Sequence, residues 1–289
     1  MPYFTIQDAS IKEEDVLRLV NGLVLPRKSF DFTYNGTTPS IGKRSMTQHP
    51  VLDDVVEALL EGREDKNKSE WIETLDRWWA REHATAMFAI GLLNGRYEDY
   101  LPGRYLMYDR LVHDGIIKTM PSIKDKKVIE VGSGTGISLV MLASEGAKVY
   151  ALDISETALG FFEFLARHYG VRDSVATLRK DYYHTDINND EFDFTYNVGV
   201  FEHLQPEDRS KLLGEMKRIT VPQGHVMVSV PNLDSPHYKA MRKREEVLFR
   251  NFPQHMYPQR EFYDVNPNKL LEENGLDIVR NGYVLLAPS

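Results

Sequence analysis

The chain of 289 residues contains no cysteine. Disulfide bridges, thiolate metal sites and cysteine nucleophiles are therefore excluded as sources of stability or chemistry. The segment Asp186–Asp190 superficially resembles a calcium-binding loop, but Glu191 occupies the position at which such a loop needs glycine. We therefore expect no metal site.

Long apolar runs and an excess of positive charge are also lacking. No apolar run approaches the length that crosses a bilayer, and Met1–Val16 lacks the basic start and apolar core of a secretory signal. The 35 Lys and Arg residues are outnumbered by 43 Asp and Glu residues, and the net charge of -8 argues against sequence-independent binding to nucleic acid. We expect a cytoplasmic protein with no nucleic-acid or membrane partner, and the sequence leaves open whether it forms a homodimer.

Hydrophobic patterning divides the chain near residue 120. Before that point, apolar residues recur at helical spacing over Pro50–Gly62, Ser69–Asn94 and Arg104–Met120. Residues 1–120 are therefore predicted to form a helical lid over the substrate, and residues 121–289 are predicted to form a separate domain.

Beyond Pro121, short apolar strands alternate with helices. This alternation is typical of βαβ units and predicts an α/β fold with a doubly wound, mostly parallel sheet. The predicted strands are Val128–Val131, Ala147–Leu152, Val175–Leu178, Phe192–Val198 and His225–Val230. The predicted helices are Ile137–Glu145, Glu156–Tyr169 and Pro206–Thr220.

A glycine-rich turn joins the first of these strands to the first helix. Gly132, Gly134 and Gly136 follow the pattern G-x-G-x-G, whereas a dinucleotide fold would need its third glycine at Ile137. A P-loop is also excluded, because the turn lacks Gly-Lys-Ser/Thr. Glu130 precedes the first glycine by two residues, and a carboxylate there suits an ammonium group better than a pyrophosphate.

The stretch "VIEVGSGTG" from Val128 to Gly136 resembles the first motif of the class I S-adenosylmethionine (SAM)-dependent methyltransferases, which have a Rossmann-like fold. The resemblance covers the chain from about Lys127 onward. It implies a methyltransferase that uses SAM and forms S-adenosylhomocysteine (SAH). It also implies that the three glycines line the methionine end of SAM, with Glu130 near its amino group.

Further cofactor contacts are implied by the same resemblance. Asp153, at the end of the second strand, would accept the ribose hydroxyls, and Ile154 would lie against the adenine. Asp181 would contact the adenine amino group, Tyr182 would flank the ring, and Asn197 would reach the methionine portion. Without the resemblance, Asp153 could instead cap a helix, and Asp181 could be an ordinary loop residue.

Glu202 and His203 follow the fourth strand, where open α/β sheets place their ligands. A general base is needed only if the methyl acceptor must lose a proton, and these two residues are the candidates. His203 could equally be a hydrogen-bonded structural residue.

The nature of the acceptor is suggested only by composition. The acidic surface and the aromatic-rich N-terminal region favour a small-molecule or metabolite acceptor, with oxygen, nitrogen and carbon all open as the methylated atom. The alternative is a non-catalytic SAM-binding or scaffold protein that keeps the same fold.

The C-terminal end departs from the family pattern. Leu276–Tyr283 is predicted to form a sixth strand, and the family normally continues into a seventh, antiparallel strand. Either Tyr283–Leu286 forms a very short seventh strand after a turn at Asn281 and Gly282, or the sheet lacks that strand, or another segment or subunit supplies it.

Overall fold

A computed structural model of the protein describes residues 72–81, 102–232, 234–236, 238–239, 242 and 265–282. Most of the predicted lid, including the helix over Pro50–Gly62, lies outside these residues. Within the predicted helix Ser69–Asn94, residues 72–81 are helical and form α1. The rings of Trp78 and Trp79 on α1 pack edge to face, with centroids 4.7 Å apart.

The chain divides into two compact units, Met1–Tyr105 and Leu106–Ser289. Helix α2 spans Pro102–Arg110 and continues as a π-helical turn over Leu111–Ile116 and a 3-10 turn over Ile117–Thr119. The predicted helix ending at Met120 is thus confirmed, although it changes pitch along its length. The assignment of 1–120 and 121–289 to separate domains stays a prediction.

The second unit contains a sheet of five parallel strands within the described residues, in the order β3-β2-β1-β4-β5. The strands are β1 (Lys127–Val131), β2 (Lys148–Asp153), β3 (Val175–Arg179), β4 (Phe192–Val198) and β5 (Thr220–Ser229). The helices between and after them are α3 (Ile137–Ser144), α4 (Glu156–His168), α5 (Pro206–Ile219) and α6 (Pro267–Glu273). The predicted α/β fold with a parallel sheet is confirmed.

The strand order places a topological switch point between β1 and β4. From β1 the chain proceeds to β2 and β3 on one side, and then returns to β4 and β5 on the other. In open α/β sheets, the loops that leave the two strands at such a point diverge and form a crevice at the carboxyl edge of the sheet. Ligands of open α/β sheets bind in such a crevice.

Local sequence signals set the helix boundaries. Helix α4 begins where the Ser155 hydroxyl accepts a hydrogen bond from the Ala158 amide at 3.1 Å, and Gly170, with a φ of 71°, follows its end. Helix α5 begins with Pro206, which fits the first helical turn because that position needs no N–H donor.

The two faces of β1 pack against different partners. Ile129 and Val131 join a buried cluster with Leu212 and Met216 of α5. Glu130 points to the opposite face, where it meets Ser138 of α3. Since side chains alternate along a strand, burial of both faces of β1 follows from helices that cover both sides of the sheet.

The edge strand β5 contains a bulge. Phe192 pairs with Thr220, but Phe194 pairs with His225, so β5 holds three more residues than the matching stretch of β4. The extra residues include Pro222, which lacks an amide donor and is tolerated at a bulge on an edge strand. The predicted strand began at His225, because the proline and glycine before it resemble a loop.

The predicted sixth strand, Leu276–Tyr283, is wrong over the residues that the structure describes, since 276–282 form no strand. Leu276 packs against the core cluster, whereas Val279 is 73% exposed. The alternating pattern in the sequence therefore reflects the partial burial of Leu276 and Ile278 rather than a paired strand. Tyr283–Leu286 lies outside the described residues. No helix in the described part of the chain is long and apolar enough to cross a bilayer.

Candidate active site

The three glycines form a tightly packed left-handed turn between β1 and α3. Gly132, Gly134 and Gly136 have φ angles of 73°, 50° and 63°. A Cβ atom on Gly132 would lie 2.5 Å from Cγ2 of Val200, and one on Gly136 would lie 2.3 Å from Cδ2 of Phe162. At these two positions glycine is required both by the backbone angle and by the lack of space.

Asp153 connects the glycine turn to the start of α4. Its Oδ2 atom accepts a hydrogen bond from the Gly134 amide at 2.9 Å, and its Oδ1 atom accepts one from the Ser155 amide at 2.8 Å. The N-terminal cap of α4 is Ser155, and Asp153 stabilises this cap by accepting the hydrogen bond from the Ser155 amide. A carboxylate accepts hydrogen bonds through two oxygens with about four lone-pair positions, and hydroxyl groups are suitable donors to it.

Glu130 lies in a buried polar triangle beneath the turn. Its Oε2 atom accepts hydrogen bonds from the Ser138 hydroxyl at 2.8 Å and the Tyr196 hydroxyl at 3.0 Å, and those two hydroxyls are 2.9 Å apart. Burial raises the pKa of Glu130 to about 8, even though the two hydroxyls act in the opposite direction. Burial also raises the pKa of Tyr196 well above its ordinary value.

Among the buried polar atoms at this edge, one in β4 and one in the glycine turn have no hydrogen-bond partner within the described residues. They are Oδ1 of Asn197, whose residue is fully buried, and Oγ of Ser133, whose residue is 6% exposed. The Asn197 amide group is held in place because its Nδ2 atom donates to the Val131 carbonyl. Buried polar atoms without partners are rare, and here they indicate a site for a ligand.

The loop leaving β4 carries Glu202 and His203 and contacts the glycine turn through Val200. Both lie in a 3-10 turn, Phe201–His203, in which the His203 amide donates to the Val200 carbonyl at 2.8 Å. Val200 is the residue that packs against Gly132. Glu202 is 7% exposed and His203 is half-buried.

A buried arginine holds this exit turn in place. Arg209 of α5 is 5% exposed, and its Nε atom donates to the carbonyls of Phe201 and Leu204 at 3.2 and 3.0 Å. The turn that carries Glu202 and His203 is therefore attached to a helix instead of being free to move alone.

Comparisons with known proteins agree with this geometry. Residues 129–228, from β1 to β5, match the family described as "Methyltransferase domain". The match spans about a third of the chain, and over these residues the protein is similar to methyltransferase domains. Three predictions are thereby confirmed: the resemblance to class I methyltransferases, the enzyme class of SAM-dependent methyltransferase, and SAM as the cofactor.

Individual relatives of the methyltransferase are distant. An uncharacterized methyltransferase of Staphylococcus carnosus is 22% identical over 72% of this chain and 92% of its own length. A ubiquinone biosynthesis O-methyltransferase of Serratia proteamaculans is 26% identical over 54% of this chain and 63% of its own length, which is less than two thirds. Magnesium protoporphyrin IX methyltransferase from Synechocystis PCC 6803, solved with SAM, has a TM-score of 0.52 at 17% identity, over 76% of this chain and 92% of that chain.

The residues at the carboxyl edge of the methyltransferase domain fit the chemical groups of SAM. An ammonium group supplies donors, and the unmatched Oδ1 of Asn197 is an acceptor. Asp153 supplies a carboxylate, which suits hydroxyl donors, and Glu130 supplies a carboxyl group near the turn.

The predicted adenine contacts of the methyltransferase lie just after β2 and β3, and their side chains are less buried than those of Glu130, Asp153 and Asn197. Asp181 is exposed and forms a local turn, in which its Oδ1 atom accepts from the Tyr183 amide at 2.9 Å. Tyr182 is half-buried and packs edge to face on Tyr183, with centroids 4.7 Å apart. Ile154 is half-buried, and the Lys180 amide donates to the Asp153 carbonyl at 3.2 Å, which draws the ends of β2 and β3 together.

Four residues of the site were missed by the sequence analysis: Ser133, Ser138, Tyr196 and Arg209. Ser138 could have been noticed as a polar residue in the otherwise apolar helix α3. Tyr196 could not, because its contact with Glu130 depends on the register of β1 against β4, in which the two residues are paired.

Proposed function

We propose that this protein transfers the methyl group of SAM to a small-molecule acceptor bound between the glycine turn and the exit of β4. The observation that carries the proposal is the convergence of buried polar groups from three neighbouring strands. Glu130 of β1, Asp153 of β2 and Asn197 of β4 are all at most 7% exposed and meet at the carboxyl edge.

Each of these groups suits a different part of the cofactor. The turn Gly132–Gly136, with Glu130 below it, would hold the methionine end, and the Oδ1 atom of Asn197 would accept from its ammonium group. The Asp153 carboxylate would accept the ribose hydroxyls. Ile154, Tyr182 and Asp181 would surround the adenine.

The chemistry demands positioning more than activation by the protein. SAM supplies a methyl group on a positively charged sulfur, so the leaving group is already activated. The protein must hold the acceptor in line with that methyl group and exclude water. The packing of Val200 against Gly132 supports such a role, because it holds the exit loop of β4 in a fixed position against the glycine turn.

His203 and Glu202 are the residues proposed to handle the acceptor's proton. A neutral imidazole at the exit of β4 can accept a proton from a hydroxyl group as the oxygen attacks. Glu202 lies one residue before it and would orient the imidazole or the acceptor. If the acceptor carries no proton to lose, His203 would only position it.

A small-molecule acceptor is supported by charge and by the relatives. The net charge of -8 disfavours a polyanion such as RNA or DNA. The Serratia relative, an O-methyltransferase of ubiquinone biosynthesis, gives a precedent for a small acceptor. We propose a cytoplasmic enzyme in which residues 1–120 cover the acceptor.

The test is a transfer assay with the full-length protein and SAM labelled on its methyl group. The acceptors are a panel of phenols, carboxylic acids and amines, with RNA, DNA and denatured protein as parallel samples. We expect label in a small acceptor together with stoichiometric SAH. Label found in a macromolecule, or SAM binding with no transfer to any class, would overturn the proposal.

A further inference from the structure

Glu130, Ser138 and Tyr196 form a polar cluster that methyl transfer itself does not require. The three residues come from β1, α3 and β4, and each is at most 2% exposed. Glu130 and Tyr196 are paired in the sheet, so their side chains lie side by side on one face. Both hydroxyl groups are within 3.0 Å of the same carboxyl oxygen.

We propose that Ser138 and Tyr196 are positioning residues that hold Glu130 as a proton-exchanging receptor for the ammonium group of the cofactor, so that cofactor binding releases one proton to solvent. This inference rests on the proposed function, which places the methionine end of SAM over Glu130.

The charges around Glu130 keep its proton in place before the cofactor arrives. The titratable groups that act on it within the described residues are Asp153 at the end of β2 and Tyr196 of β4, while α3 contributes only the uncharged hydroxyl of Ser138. Tyr108 of α2 acts in turn on Tyr196. None of these groups is a cation, so burial dominates and Glu130 is mostly protonated at neutral pH.

An ammonium group nearby reverses this balance. A positive charge within about 4–6 Å favours the ionised form of a carboxyl group. The hydroxyls of Ser138 and Tyr196 can then both donate to the carboxylate, and hydrogen bonds to a charged acceptor are about twice as strong as neutral ones. In the balanced step, the neutral carboxyl group and the ammonium ligand become a carboxylate–ammonium pair, and the proton passes to the buffer.

The proton is measured by titrating SAH into the full-length protein by calorimetry, in buffers with different ionisation enthalpies. At pH 6.5, below the Glu130 pKa of about 8, the carboxyl group is almost fully protonated and the ligand amine is charged. We expect about one proton released per SAH bound.

A matched ligand separates the amino-acid end from the rest of the cofactor. 5′-Methylthioadenosine keeps the nucleoside and the thioether but lacks the amino-acid portion with its ammonium group, so it should bind without releasing a proton. SAH binding with no proton release, or equal release by methylthioadenosine, would overturn the inference. Absence of any SAH binding would instead overturn the proposed function, and this inference with it.

Variants test the three residues separately. Glu130→Gln keeps the shape of the neutral side chain and should bind SAH without proton release. Tyr196→Phe and Ser138→Ala each remove a donor to the ionised carboxylate, so the pH range of proton release should move upward. Tyr150→Phe on β2 lies outside the cluster and should leave that range unchanged. A merely structural role for Tyr196 would weaken binding without moving the pH range.

An infrared difference spectrum of the unmodified protein provides a second measurement that needs no variant. Addition of SAH should remove the carbonyl band of a buried protonated carboxyl group and add a carboxylate band. Persistence of the protonated band in the SAH complex would overturn the inference, even if Glu130→Gln failed to fold.

Discussion

The two ends of the same parallel sheet hold their acidic side chains in opposite ways. At the amino end, Asp193 pairs with Lys126 at 2.8 Å and Glu191 pairs with Lys127, and all four side chains are partly exposed. At the carboxyl end, Glu130 is buried and bonded to hydroxyl groups, and the buried Asp153 accepts from backbone amides. The pKa shifts differ accordingly. Partial burial raises the pKa of Asp193, but hydrogen bonds from Lys126 and the Lys127 amide lower it overall, whereas the pKa of Glu130 is raised.

The acidic side chains at the amino end are already paired with cations, whereas those at the carboxyl end can still interact with a charged ligand. An exposed ion pair is already neutral overall and contributes about 0–1 kcal/mol to stability. A buried acid bonded to neutral donors retains the capacity to interact with a cation, at a cost in desolvation. The carboxyl end is thus organised for a ligand and the amino end for the fold, and each prediction below sets one end against the other.

The largest expected effect contrasts two histidines. His203 lies at the carboxyl end, and His225 lies near the middle of β5, where it pairs with Phe194 and the two rings are 5.9 Å apart. For an acceptor that loses a proton, His203→Ala should lower the rate by roughly 10²–10⁴ with SAM affinity nearly intact. His225→Ala should leave the rate largely unchanged. Equal rate losses in both variants, measured with affinity and melting temperature, would argue that His203 is structural.

The second effect concerns the glycine turn. Gly136→Ala forces a side chain into the left-handed region and into the ring of Phe162, and should destabilise the protein by about 2–4 kcal/mol. Gly214→Ala, on the exposed face of α5 with open space around it, should stabilise it by about 1 kcal/mol. Denaturant unfolding measures both. A Gly136→Ala protein as stable as the unmodified one would mean that the turn can move away from α4.

The third effect is a pH dependence of opposite sign at the two ends. Because the pKa of Glu130 is raised from 4.5 to about 8 on folding, the stability it contributes is lost as the pH rises through that range. Without cofactor, Glu130→Gln should therefore become more stable relative to the unmodified protein between pH 5 and pH 8. Asp193→Asn should show its relative gain only as the pH falls, because the pKa of Asp193 is lowered. Unfolding measured across pH decides, and parallel curves for the two variants would contradict the assignment.

The fourth effect concerns ligand affinity. Asp153→Ala removes the acceptor of the Gly134 and Ser155 amides and, by proposal, of the ribose hydroxyls, so SAM affinity should fall at least about tenfold. Asp193→Ala, the amino-end control, should change stability by about 1 kcal/mol or less and leave affinity intact. Unchanged affinity in a folded Asp153→Ala protein would limit this residue to supporting the turn.

The sequence predicted most strand and helix positions, because periodicity and glycine stops are local signals. Strand β4 was predicted at its observed bounds, and α3 and α4 ended one residue earlier than expected. The error at Leu276–Tyr283 arose because partly buried Leu276 and Ile278 alternate with exposed Asp277 and Val279, which gives the same pattern as a strand.

The contacts within the site depend on non-local geometry instead. Glu130 and Tyr196 are 66 residues apart, and only the pairing of β1 with β4 brings them together. The two amide hydrogen bonds to Asp153 likewise require the folded turn. The sequence could therefore name candidate residues, but could not say which of their atoms were already engaged.

The contact between Gly136 and Phe162 has an evolutionary consequence. The ring, which is fully buried, fills the space that a side chain at position 136 would need. A lineage that first enlarged residue 136 would create a clash, and one that first replaced the ring with alanine would lose about 3–5 kcal/mol to a cavity. Either substitution alone therefore destabilises the protein before the other substitution can compensate for it. Selection should therefore preserve the two residues as a pair, whatever acceptor the descendants of this enzyme come to methylate.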